Sequence, residues 1–170
     1  MKKPLFLRRL AAFLLVFAAL QCAWQWCAQT AAAQRTIGLV IVAPAAWLVN
    51  VMTPEVHASA VDRHLRAPGG GINVVNGCDG TETLFLLLAG FAVAPLGRLS
   101  RLVGALLGIP LVYVLNQARI LALFYAHRRD TELFDLLHGY LTPIVMVLAV
   151  AVYFHGWLLR STQSAAATSP

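Results

Sequence analysis

The chain has 170 residues, of which 59% are hydrophobic and only 12% are Asp, Glu, Lys or Arg. Soluble domains carry about 25% charged residues, so this composition excludes a soluble globular protein, a disordered chain and a coiled coil. The length and the long uncharged runs predict one integral membrane domain over residues 1–170. The net charge of +6 comes from basic residues dispersed among short loops, which is typical of membrane orientation, so we expect no nucleic-acid partner.

Four apolar segments are candidates for membrane-spanning helices, which need about 20 predominantly apolar residues. Residues 5–28 follow a basic group and predict an N-terminal anchor helix, although the small residues that come next leave a cleaved signal peptide as an alternative. Further spans are predicted at 81–96, 102–125 and 140–159. Residues 161–170 have low complexity and predict a disordered tail.

A fifth apolar segment, residues 37–52, is short and contains Pro44. It predicts either another span or an interfacial or re-entrant helix. With a cytoplasmic N-terminus, four crossings place seven basic residues inside and five outside, whereas five crossings place eight inside and four outside. Charge therefore leaves both topologies open. The predicted fold is an all-α membrane helix bundle with about four to five transmembrane helices.

Residues 55–77 form the one polar stretch of any size. Apolar and polar residues alternate from Val56 to Ala60, a Gly-rich turn follows at 67–71, and residues 72–75 are again typical of a strand. Two β-rich runs around such a turn predict a small β-hairpin outside the membrane, directly before Cys78.

Cys78 lies between Gly77 and Gly80, just before an apolar helix. The spacing of Asp79 and Glu82 resembles a capping box, which would put the thiol at a helix N-terminus, where a thiolate is favoured. The two glycines would let another backbone approach closely. The alternative is a buried, inert thiol.

The other two cysteines, Cys22 and Cys27, lie inside an apolar helix, and we expect them to be inert. An odd count with no paired spacing argues against a disulfide framework.

Arg119 lies within the predicted span 102–125, about 9 Å below its end at the usual helical rise. A guanidinium in lipid costs at least about 2.5 kcal/mol on insertion scales. Asn116, three residues earlier, falls on the same face, so the two predict a polar stripe that faces the bundle. The alternative is that Arg119 extends to the headgroups.

His138 begins the last predicted span, and Asp135, one turn earlier, is placed to hold its imidazole. No pair of residues has zinc-ligand spacing, so we expect no metal site. Because three consecutive spans are antiparallel, Cys78, Arg119 and His138 all fall on one side of the membrane. A nucleophile, a proton shuttle and a cation for an oxyanion suit acyl transfer.

At these residues the chain resembles the exosortase/archaeosortase family of membrane-embedded cysteine transpeptidases, as a compact subtype. The resemblance covers about residues 54–159 and rests on three motifs: Asn76-Gly77-Cys78-Asp79-Gly80, Leu115-Asn116-Gln117-Ala118-Arg119 and Leu133-Phe134-Asp135-Leu136-Leu137-His138. It implies that Cys78 is the nucleophile, Arg119 the oxyanion-stabilising cation and His138 the general acid/base. Residues 78–159 would form the three-helix catalytic core.

The resemblance also implies a substrate and a location. The substrate would be a secreted protein whose C-terminal sorting signal joins a short motif, a transmembrane helix and a basic tail. The enzyme would be a multi-pass inner-membrane protein, in contact with lipid, with its site on the non-cytoplasmic face and no metal or organic cofactor. This favours four crossings. Asp79 departs from the family pattern, because a carboxylate beside the nucleophile would raise the thiol pKa unless it turns away to cap the helix.

Two other functions remain open at the level of sequence. One is a membrane thiol acyltransferase that uses the same cysteine. The other is a non-enzymatic assembly or transport subunit in which Arg119 and Asn116 pair with a partner helix.

Overall fold

The computed structural model describes residues 3–74 and 77–167, and most of them are helical. The α-helices are α1 (Lys3–Cys27), α2 (Ala31–Ile37), α3 (Ala43–Met52), α4 (Thr81–Val93), α5 (Arg98–Arg129), α6 (Thr131–Leu136) and α7 (Thr142–Ala167). Two π-helical turns, Gly38–Val42 and Leu137–Leu141, join α2 to α3 and α6 to α7 without a break. The predicted helical bundle is confirmed.

Within the described residues, four continuous helices are long and apolar enough to cross a membrane: Pro4–Cys27, Ala31–Met52, Arg98–Arg129 and Thr131–Gln163. These helices fit a multi-pass membrane protein. Helix α4 is shorter, with 13 residues, and ends at Val93 rather than at the predicted residue 96. The physical reason is Pro95, which drives the preceding Ala94 into an extended conformation with ψ of 142°.

The turn between α4 and α5 is fastened by Arg101. Its Nε donates to the Leu96 carbonyl at 2.8 Å and its Nη1 to the Ala92 carbonyl at 3.1 Å. The bond to Ala92 satisfies a carbonyl in the last turn of α4 that has no partner within the helix, and the bond to Leu96 holds the turn that follows. Helix α5 starts at Arg98 and has 32 residues, so it is longer at both ends than the predicted span 102–125.

Helix α7 continues through Ala167, so residues 161–167 are helical where the sequence predicts a disordered tail, and 168–170 lie outside the described residues. The Ser161 hydroxyl bonds that of Ser100 at 2.8 Å, which ties this end of α7 to the start of α5.

A three-stranded antiparallel sheet occupies part of the polar stretch, with strands β1 (Ser59–Val61), β2 (His64–Arg66) and β3 (Ile72–Asn73) in that order. Strands β2 and β3 flank the Gly-rich turn as predicted, but the first strand of this hairpin lies later than residues 56–60. Strand β1 is added by a tight turn in which Asp62 has a φ of 53°, a conformation that Asp tolerates. Val75, expected in the last strand, lies outside the described residues.

Residues 37–52 run along this sheet rather than away from it. Near one end, the backbone of Gly38 meets the Asp62 carbonyl so closely that a Cβ would stand 2.5 Å from its oxygen. Near the other end, the Asn50 side chain exchanges two hydrogen bonds with the backbone of Ala58, of 2.6 and 2.8 Å. The sheet thus contacts both ends of the segment.

The two ends of the bundle differ in charge. The start of α1, the α4–α5 turn and the end of α7 lie together, since one groove is lined by Arg9, Pro95 and Leu158. This basic end carries Arg8, Arg9, Arg98, Arg101 and Arg160 and no acidic residue. All seven acidic residues of the chain belong to the opposite end or its loops: Glu55, Asp62, Asp79, Glu82, Asp130, Glu132 and Asp135.

Close packing of α4, α5 and α7 depends on Gly104. A Cβ at this position would stand 2.5 Å from the Phe91 ring and 2.8 Å from the Trp157 indole nitrogen. The Gly104 carbonyl also accepts a 2.7 Å hydrogen bond from the Tyr153 hydroxyl. Small residues at such contacts let membrane helices approach closely.

We therefore expect Gly104→Ala to lower the free energy of unfolding by about 1–3 kcal/mol, because rigid rings must move to admit the methyl group. Gly156→Ala is the control, since it is also inside a helix but a Cβ there meets nothing within 4 Å. Because alanine has a higher helix propensity than glycine, the free energy of unfolding of Gly156→Ala should stay unchanged or rise by up to about 1 kcal/mol. Equal thermal stability of the two purified variants in detergent would contradict this packing role.

Candidate functional site

Cys78 lies in a turn at the start of α4 that two glycines shape. Gly77 and Gly80 have φ values of 89° and 82°, a left-handed region that glycine tolerates best. Gly80 closes against a side chain rather than another backbone, since a Cβ there would stand 2.9 Å from Cγ of Asn116. This contact places the turn directly on α5.

The predicted capping box of Asp79 and Glu82 does not form among the described residues. The residue before the helix is Gly80, not Asp79. Asp79 instead accepts hydrogen bonds at Oδ1 from the backbone N–H and the hydroxyl of Thr81, of 3.2 and 2.7 Å. The positive φ of Gly80 is the reason, because it delays the start of the helix while the carboxylate still reaches its first N–H.

The three residues singled out as catalytic candidates converge. Sγ of Cys78 lies 3.7 Å from Nδ1 of His138 and 3.9 Å from Nη2 of Arg119. Cys78 and Arg119 are 8% and 9% exposed, so the contact is buried. A thiol, an imidazole and a guanidinium thus meet where α4, α5 and the turn before α7 come together.

The Arg119 guanidinium is held by two neutral acceptors. Its Nη1 donates to the Gly77 carbonyl and its Nε to the Thr142 hydroxyl, each at 3.0 Å. The side chain therefore points into the bundle rather than towards its surface. Because α5 continues to Arg129, Arg119 lies ten residues from the helix end, about 15 Å rather than about 9 Å.

His138 lies in the π-helical turn Leu137–Leu141. Its ring stacks on Phe134 with a centroid separation of 5.4 Å and an interplanar angle of 6°. Asp135 is exposed and, within the part of the chain that the structure describes, makes no hydrogen bond to His138. The expectation that Asp135 holds the imidazole is not met, because Phe134, one helical turn before His138, occupies that side of the ring.

Other polar side chains are buried beside the three. Asn116 is 1% exposed, so it lies on the same inward face of α5 as Arg119, as the sequence predicts. Neither atom of its side-chain amide, nor Oδ2 of Asp79, has a hydrogen-bond partner among the described residues. Buried polar groups without partners are rare in folded proteins and are often found at functional sites.

The electrostatic setting favours the protonated thiol over the thiolate. Burial raises the pKa of Cys78 above its usual value, the Arg119 charge opposes this shift, and the carboxylates of Asp79 and Glu82 add to it. Asp79 thus raises the thiol pKa, as the sequence predicts for a carboxylate beside the nucleophile. A thiol of this kind needs a base to accept its proton, and Nδ1 of His138 is the group in contact with it.

The rate at which iodoacetamide alkylates Cys78, measured as a function of pH, should report the effect of the surrounding charges on the thiol pKa. The measurement uses a chain with Cys22→Ala and Cys27→Ala, so that Cys78 is the one thiol left. Arg119→Gln should move the midpoint of the rate to higher pH, because the group that lowers the thiol pKa is removed. Asp79→Asn should move it to lower pH while Oδ1 still accepts from Thr81. Shifts in the same direction, or no shifts, would contradict this electrostatic setting.

Two residues of the site were missed by the sequence reading, Thr142 and Phe134. Thr142 had no signal, since a threonine next to Pro143 in an apolar run is ordinary. Phe134 had a weak sequence signal, because it lies four residues before His138 and side chains at that spacing are neighbours on a helix. No group of three His, Cys, Asp or Glu side chains within residues 3–74 and 77–167 could hold a metal ion.

Comparisons with models of known families, with curated proteins and with solved structures found no match. The functional conclusion therefore depends on the geometry of the site.

Proposed function

We propose that the protein is an exosortase-like membrane cysteine transpeptidase or protease that cleaves C-terminal sorting signals of secreted proteins. The observation that carries the proposal is the contact of Cys78 Sγ with His138 Nδ1 at 3.7 Å and with Arg119 Nη2 at 3.9 Å. The three side chains come from successive segments of the bundle, and each is held by its own local structure. This set is complete for acyl transfer through a thioester.

The reaction begins when His138 takes the proton of Cys78 and the sulfur attacks the scissile carbonyl. Arg119 stabilises the oxyanion that forms: of its five N–H donors, one bonds Thr142 and one bonds Gly77. The third nitrogen, Nη2, lies 3.9 Å from the sulfur, and its donors are available to the oxygen. The C–N bond then breaks, His138 gives its proton to the leaving amine, and a thioester to Cys78 remains. An amine or water then attacks the thioester and passes its proton to His138, the C–S bond breaks, and His138 returns that proton to the sulfur of Cys78.

The charge of the two ends supports a site that faces away from the cytoplasm. The basic end is free of acidic residues, as expected for a cytoplasmic face. The segment Ala31–Met52 contacts the sheet through both Gly38 and Asn50, so it is expected to lie at the site end without crossing. Helices α1, α4, α5 and α7 then make four crossings, with Cys78 and His138 on the outer side.

An apolar groove supports a substrate with a membrane-embedded segment. The groove has a volume of about 390 Å³, lies between α1, α4 and α7, and is lined by side chains such as Phe13, Leu86, Val147 and Phe154. Helices α4 and α7 are the two that begin beside Cys78 and His138. An apolar helix that continues from a scissile bond at the site would therefore descend along this groove.

We expect Cys78→Ala to abolish cleavage in cells that also produce a secreted protein ending in a motif, an apolar helix and a basic tail. The intact tail should persist on immunoblots, because the nucleophile is lost. Cys22→Ala is the matched control, since its thiol is exposed on α1, and it should cleave like the wild type. Normal cleavage by Cys78→Ala would exclude the proposal and favour a non-enzymatic subunit.

Arg119→Lys should lower kcat by about 10²–10³-fold while the protein remains in the membrane fraction. Lysine keeps the charge but cannot bond Gly77 and Thr142 and still face the sulfur, and losing one oxyanion donor has effects of this size. Arg128→Lys, on the same helix, is the control, because its bond to the Pro68 carbonyl is exposed. Wild-type turnover by Arg119→Lys would remove the arginine from the mechanism.

The same groove also suits a fatty-acyl chain, which favours a thiol acyltransferase as the second candidate function. Mass spectrometry of the adduct trapped on Cys78 distinguishes the two. A peptidyl thioester supports the transpeptidase, and a fatty-acyl thioester supports the acyltransferase.

A further inference from the structure

Thr142 lies between the two groups that assist Cys78. Its Oγ1 accepts the N–H of Arg119 Nε at 3.0 Å and donates its own proton to the Leu137 carbonyl at 2.8 Å. Leu137 is the residue before His138 and opens the π-helical turn that carries the imidazole. Thr142 is 9% exposed, so both bonds are shielded from solvent.

The Thr142 hydroxyl acts as an acceptor towards Arg119 and as a donor towards Leu137. The donor role is fixed, because a carbonyl can only accept and an arginine N–H can only donate. The bond to Nε also fixes the plane of the guanidinium, since Nε–H lies in that plane. With Nε on Thr142 and Nη1 on Gly77, the third nitrogen, Nη2, is the one directed at the sulfur.

We propose that Thr142 is a positioning residue that sets the guanidinium plane of Arg119 and the π-helical turn of His138 relative to one another. This inference deepens the proposed function, since it concerns the same site, but its geometry does not depend on which substrate is cleaved. Without the hydroxyl, Arg119 loses one of its two anchors and the Leu137 carbonyl loses its side-chain donor. Arg119 Nη2 would then be free to move away from Sγ, and the turn that carries His138 would keep only the bond from the Thr142 backbone N–H to the Leu137 carbonyl.

The test is the pH profile of Cys78 alkylation by iodoacetamide, again in the Cys22→Ala, Cys27→Ala background. The groups that face the thiol are Arg119, His138, Asp79 and Glu82. Thr142→Val keeps the shape and removes the hydroxyl, so the midpoint should move to higher pH as Arg119, which lowers the thiol pKa, moves away. Thr142→Ser keeps the hydroxyl and should behave like the wild type.

Thr162→Val is the matched control. Its hydroxyl also donates to a backbone carbonyl of α7, that of Leu159 at 2.9 Å, but it is exposed and far along the helix from Thr142. It should leave the midpoint unchanged. If Thr142→Val does not fold, as judged by its unfolding temperature in detergent, Thr142→Ala takes its place, with the same expected shift.

An unchanged midpoint in the variants that lack the hydroxyl would overturn the proposal. An equal shift in Thr142→Ser would also overturn it, because packing rather than the hydroxyl would then be responsible. If tail-bearing substrates are available, Thr142→Val should lower kcat about 10-fold with little change in KM. A shifted alkylation profile together with a wild type that cleaves no such substrate would refute the proposed function and leave the role of Thr142 intact.

Discussion

The structure is organised around one buried cation. A guanidinium in the interior of an apolar bundle must find hydrogen-bond acceptors, because the cost of leaving it unpaired is several kcal/mol. Arg119 finds them in the Gly77 carbonyl and the Thr142 hydroxyl, which belong to segments far apart in sequence. Satisfying Arg119 therefore brings the start of α4 and the start of α7 to the same place on α5. The proximity of Cys78 and His138 is a consequence of this requirement.

Much of this arrangement could be predicted from sequence, and the reasons are physical. Long apolar runs indicate the helices, and an arginine and an asparagine three residues apart must share one face, so the inward direction of Arg119 and Asn116 follows. Backbone details could not be predicted. The positive φ of Gly80 moved the helix start beyond Asp79, and the π-helical turn at Leu137–Leu141 left Phe134, rather than Asp135, against His138. A π-helical turn has no clear sequence signature, and a single hydroxyl such as that of Thr142 has none.

The surroundings of Cys78 suit a nucleophile that is active only when a base is in contact with it. Burial and two nearby carboxylates disfavour the thiolate, and Arg119 only partly compensates. A thiol in this state resists adventitious oxidation and alkylation, since the thiolate is the reactive form. Within the proposed mechanism, Arg119 serves the oxyanion more than the resting thiol. In that mechanism the imidazole of His138 would activate the thiol, and the stacking of its ring on Phe134 limits how the ring can turn.

The shortness of α4 has a consequence for access to the proposed site. Its 13 residues extend about 20 Å, whereas the hydrocarbon core of a bilayer is about 30 Å thick. If α4 crosses from the basic end, the lipid must thin around it or Cys78 must sit below the level of the headgroups. In either case the sulfur is recessed, and a freely diffusing peptide would have to leave water to reach it. A polypeptide already tethered in the lipid meets no such barrier, so depth alone would select among chains that carry the same cleavage motif.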